Sequence, residues 1–72
     1  MTQDTLTDYI ELNAYLRIKG IGSTGGKTKL IIRSGAVKVN GEIETRNKKK
    51  LREGDVVEYL DEKYVVEEKY LK

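Results

Sequence analysis

Proline, cysteine, histidine, tryptophan and phenylalanine are all missing from this 72-residue chain. Without cysteine or histidine there is no thiolate or imidazole, so a structural zinc site, a cysteine nucleophile and any histidine-dependent triad are excluded by inventory. Disulfides are impossible, and the lack of cysteine fits a reducing compartment. Long apolar runs are missing too. Nothing approaches the ~20 consecutive apolar residues of a membrane span, and MTQDTLTDYI has neither the basic start nor the apolar run of a signal peptide. These absences predict a single cytoplasmic domain over residues 1–72 with a modest core and no membrane association.

What is present is charge, unevenly placed. The formal net charge is only +2. Residues 1–16 carry −3, from Asp4, Asp8 and Glu11, and residues 53–72 carry −4. Between them, eleven lysines and arginines stand against Glu42 and Glu44 alone, a block of +9. So one-sided a block repels itself when compacted, which predicts an anionic partner that offsets the cost.

Local patterns predict two helices followed by strands. Leu12, Tyr15, Leu16 and Lys19 share a face at i, i+3, i+4 and i+7, and Gly20 stops that first helix. Arg17 and Lys19 fall in its last turn, where cations suit the helix dipole. Before it, Tyr9, Ile10 and Leu12 make either a short opening strand or a packed arm. Thr24 is the N-cap of a second helix running to about Ser34 and ended by Gly35. Thr28, Ile31 and Ile32 form its apolar arc, with Leu30 at the far margin. Lys29 and Arg33 lie together opposite that arc, a like-charged i, i+4 pair that costs a few tenths of a kcal/mol. Lys27 and Lys29 also sit in the first turn, where the dipole disfavours cations.

Val37–Ile43 alternates around Asn40-Gly41, a strong hairpin signal. Thr45–Arg52 reads as a polar, basic loop and Glu53–Asp55 as a turn. Strands follow over Val56–Leu60 and Tyr64–Val66, joined through Asp61-Glu62-Lys63, and Glu67–Lys72 is expected to fray. The fold class is α+β, with two short helices packed on a small, mostly antiparallel sheet. Tyr9, Tyr15, Tyr59 and Tyr64 fall in apolar patterns and read as core.

Two glycine patterns are near misses. Gly20–Gly25 matches GxGxxG but follows a helix rather than a strand, and Gly26-Lys27-Thr28 mimics the end of a phosphate-binding loop whose first glycine position holds Ile21. What remains is a helix start at Thr24-Gly25-Gly26 whose free N–H groups, beside Lys27, suit a phosphate of something larger. The carboxylates read as solvated charge. No catalytic residue, metal ligand or cofactor site is expected.

The frame Leu12-Asn13-x-x-Leu16, Lys27–Gly35, Val37-Lys38-Val39-Asn40-Gly41 and Leu51-x-x-Gly54-Asp55-Val56-Val57 resembles the RNA-binding domain first described in ribosomal protein S-four, the αL motif. The resemblance spans about residues 12–57. Ser23–Gly26 with Glu44–Leu51 is more similar to the small stand-alone bacterial members than to modules fused to enzymes. Asn13 stands where that family often has aspartate, Thr28 where alanine is usual, and Lys29 where arginine is common. The resemblance implies binding of structured RNA, rRNA or tRNA, by a ribosome-associated protein; separately, the protein is expected to act as a monomer. The contact surface it implies is the second helix, the loop before it and the neighbouring hairpin; the residues themselves independently point to Thr24, Gly25, Gly26, Lys27, Lys29 and Arg33, to Lys38 on the hairpin and to Arg46, Lys48, Lys49 and Lys50 in the basic loop. Arg17 and Lys19 complete the set from the end of the first helix.

Two rival readings remain at this stage. An adaptor would use the same basic face on an acidic protein. A ubiquitin-like carrier would share Asn40-Gly41-Glu42 and Gly54–Val57, but its chemistry needs a terminal Gly-Gly, where this sequence has Tyr70-Leu71-Lys72.

Overall fold

A computed structural model describes residues 9–71. The chain runs β1 (Ile10–Glu11), α1 (Leu12–Ile18), α2 (Gly25–Arg33), β2 (Val37–Val39), β3 (Glu42–Ile43), β4 (Lys50–Leu51), β5 (Val56–Tyr59) and β6 (Glu62–Val65), then a 3-10 turn, Glu68–Tyr70. β3, β2, β5 and β6 form an antiparallel sheet in that order, and β1 pairs separately with β4. This is the expected α+β fold. Leu12, Tyr15 and Leu16 from α1 and Ile32 from α2 meet Val37, Val39 and Val57 of the sheet in one core. Each such aliphatic side chain contributes about 1.5–3 kcal/mol by leaving water.

The helix ends follow their glycines. After α1, Gly20 takes φ +81, its N–H donates to the Arg17 carbonyl at 3.1 Å, and the Ile21 N–H reaches back to Leu16 at 2.8 Å. This paired closure needs a left-handed residue at the first position past the cap. α2 starts where Thr24 Oγ1 accepts from the Lys27 N–H at 3.2 Å, and it stops as Gly35 turns to φ +87. Asn40 and Gly41, both at positive φ, make the first hairpin as expected.

Three expectations need correction. The segment Thr45–Arg52 is not all loop: Lys50–Leu51 pairs with β1, and Leu51 is fully buried. The residues just before it also dock on α1, whose first two N–H groups donate to the carbonyls of Lys49 (2.8 Å) and Asn47 (3.0 Å). These bonds replace a side-chain cap, which α1 lacks. The second hairpin turns at Leu60-Asp61, both at positive φ, so Glu62 and Lys63 lie in β6 rather than in a connection. Pairing of Tyr59 with Glu62 sets that register against the preference of leucine for negative φ. Finally, the stretch after β6 does not fray as far as Leu71. Tyr70 packs edge-on against Tyr15, ring centroids 5.5 Å apart, and Leu71 rests on the core. Lys72 lies outside the described residues.

Candidate nucleic-acid interface

The start of α2 is set by the loop before it. Thr28, fully buried, donates its hydroxyl to the carbonyls of Ile21 (3.2 Å) and Thr24 (3.0 Å), tying both ends of the loop to the first helical turn. Gly22 lies so close that a Cβ there would sit 2.9 Å from the Thr28 backbone nitrogen. The loop is thereby fixed, and so is the direction of the first helical N–H groups. Thr24 satisfies those of Lys27 and Thr28. Among the described residues no acceptor meets those of Gly25 and Gly26.

These two glycines have no internal reason to be glycine. Neither has positive φ; a Cβ on Gly25 would meet nothing within 4 Å, and one on Gly26 only Thr24 Oγ1 at 3.9 Å. Glycine in a helix costs up to about 1 kcal/mol relative to alanine. The open space outside these amides is therefore the feature that glycine preserves, and it lets an anion approach the backbone closely.

Lys27, Lys29 and Arg33 are exposed along α2, as expected from the helical wheel. Lys38 is exposed on the sheet face turned from the core, opposite Glu58 on β5, so an anion reaching it also meets a carboxylate. Arg46, Lys48, Lys49 and Lys50 surround one shallow recess of about 400 Å³. Glu44 clamps Arg46 within it. The guanidinium donates from Nε at 2.8 Å and Nη2 at 3.1 Å, and the Arg46 N–H adds a third bond at 3.0 Å. This clamp holds the Glu44 carboxyl down at about 2, well below the ordinary glutamate value. It also fixes the Arg46 side chain at the mouth of the recess.

The remaining cations divide. Arg17 is exposed on α1, and it borders the same groove as Lys50. Lys19 is placed differently. Its ammonium donates to the Tyr70 hydroxyl at 3.0 Å and lies 4.8, 5.5 and 5.7 Å from the ring centres of Tyr70, Tyr15 and Tyr64. The Tyr70 bond raises its pKa, so it stays charged, held among tyrosines. Sequence reasoning overlooked this cage, the Glu44 clamp and the stacking of Lys50 over Tyr9 at 4.9 Å. Only the clamp left a local signal: residues two apart in an extended stretch share a face, which puts Glu44 beside Arg46.

No group of three or more metal-ligating side chains occurs among the described residues, and no helix there is long and apolar enough to cross a membrane. Comparison with known proteins gives two concordant findings. A family model described as "S4 domain" matches residues 4–67. "Putative RNA-binding protein YbcJ" of Escherichia coli (strain K12) is 35% identical over 51 residues, 71% of this chain and 73% of that protein. "Uncharacterized protein YbcJ" of Shigella flexneri matches to the same extent. The family model covers the two helices and the sheet that carry the cationic surface, and the chain belongs to the S4 domain family.

Proposed function

We propose that this protein binds structured RNA without catalysis, through the start of α2, the exposed face of that helix and the recess of the 46–50 loop. The observation that carries the reading is the Gly25-Gly26 pair, which costs helix stability and has no steric role within the chain. The S4 family membership and the name of the Escherichia coli relative support the same ligand class. Phosphate contacts of this kind position a protein without reading sequence, so the target is recognised by shape, in ribosomal or transfer RNA of the cytoplasm and in ribosomal particles.

The test separates folding from binding. Gly25→Ala with Gly26→Ala raises the unfolding free energy by up to about 1 kcal/mol per site, as glycine is replaced by a better helix former. The same change weakens binding to rRNA fragments in a gel-shift titration. A double variant that is more stable and binds as well as wild type would remove the anion cradle from the interface. Pull-down from cells discriminates the partner class: RNase abolishes association with ribosomal particles if RNA is the ligand, whereas RNase-resistant capture of one acidic protein marks an adaptor.

A further inference from the structure

A groove of about 1010 Å³ separates the 46–50 recess from the loop that leads into α2. Tyr9, Ala14 and Ile18 give its lining apolar surface, and Arg17, Lys50, Gly22 and Ser23 line it as well. Ile18 is 53% exposed, an isoleucine facing solvent on a helix whose other large aliphatics are fully buried. We propose that this groove receives the base of a single unpaired RNA nucleotide, with Arg17 and Lys50 taking the phosphates on either side. The inference rests on the RNA-binding reading and narrows its ligand to structured RNA that carries a bulged or looped-out residue.

Charge argues for a single nucleotide. Among the described residues that line the groove, Glu11 offsets one of the two cations, and the net of one positive charge is too little to hold a polyphosphate by attraction alone. Most of the affinity must then come from apolar and stacking contact with the base, which is tolerant of base identity. Lys50 rests over the Tyr9 ring at 4.9 Å. An exposed cation–π contact of this kind is weaker than base stacking on an aromatic ring, so an incoming base displaces the ammonium toward its own phosphate. Position supports the same occupant. The groove touches the basic loop through Lys50 and the α2 approach through Gly22 and Ser23, so a strand crossing from one cationic element to the other passes over it.

The test uses the full-length chain and a short RNA hairpin with one bulged adenosine, compared at low ionic strength with the same hairpin carrying an abasic bulge. The expected result is about tenfold tighter binding of the bulged adenosine, in line with the stacking contribution of one base. A fluorescent purine analogue in the bulge should be quenched on binding. Ile18→Ser, at an exposed position, and Tyr9→Ser each abolish the preference while leaving affinity for a fully paired hairpin unchanged. Equal affinity of wild type for the bulged and abasic hairpins overturns the inference and leaves the RNA-binding reading intact. Failure to bind any of the hairpins removes both. A preference that survives both substitutions places the base elsewhere. If the preference emerges only after residues 1–8 are deleted, the chain's own N-terminal segment is the occupant and the inference is wrong.

Discussion

At the scale of single residues, the shape of the candidate interface depends on side chains that never touch its surface. Thr28 is the clearest case: its buried hydroxyl holds two loop carbonyls, and an alanine there would hold neither. Thr28→Val keeps the volume, loses both bonds and lowers the urea-derived unfolding free energy by about 1 kcal/mol. Gly22→Ala costs more, because φ is +84 and the added methyl meets the Thr28 backbone. Glu44 gives a pH signature. Its carboxyl is held at about 2 by the Arg46 guanidinium. The ion pair therefore contributes fully above the ordinary glutamate pKa, and the contribution is lost as pH falls from there toward 2. Thermal melts between pH 6 and pH 3 should show Glu44→Gln losing less stability on acidification than wild type. An identical pH dependence in the two proteins would show that the clamp adds nothing to folding; with Arg46 70% exposed, the expected difference is small. At this scale Thr28 was legible as part of an apolar arc, but its hydrogen bonds were not, since they depend on where the loop carbonyls fall in space.

Among the elements, those that announce themselves by glycine were legible in the sequence. Gly20 and Gly35 end the helices and Asn40-Gly41 makes the first hairpin, because each needs a backbone angle that few other residues adopt cheaply. The elements that escaped carry no such mark. β4 is two residues long, too short for any periodicity, and its pairing with β1, which the sequence offered as a short strand or a packed arm, is visible only once residues 39 and 41 positions apart meet. The Leu60-Asp61 turn was hidden for the opposite reason: a leucine argues against positive φ, and the pairing of β5 with β6 overrides it. That override has a cost. Leu60 is 73% exposed, so it offers little burial in return for a strained backbone. Leu60→Asn should raise the chemical-denaturation midpoint, by roughly 1 kcal/mol in free energy, since asparagine enters the left-handed region readily. An unchanged or lowered midpoint would mean that the leucine side chain has a role in the folded state.

For the whole molecule, the relevant quantity is the positive block rather than the net charge of +2. With about five phosphates engaged, log K against log salt should fall with a slope between roughly −3.5 and −4.5. Lys29→Glu with Arg33→Glu should flatten that slope by about two phosphates' worth. Glu67→Lys with Glu68→Lys, at the far end of the chain, should change it far less; equal effects would mean that α2 is not the site. The approximate extent of the cationic surface was legible from composition, because charge density needs no geometry. Its division was not: Lys19 is held among tyrosines because Tyr70 reaches it across 51 positions. That same contact ties distant parts of the chain together. The tyrosines around Lys19 lie at positions 15, 64 and 70, so one ammonium fastens α1 to β6 and to the 3-10 turn. Contacts this far apart in sequence repay the entropy of closing the chain between them only once that chain is ordered, so this fastening belongs to the late, long-range part of folding.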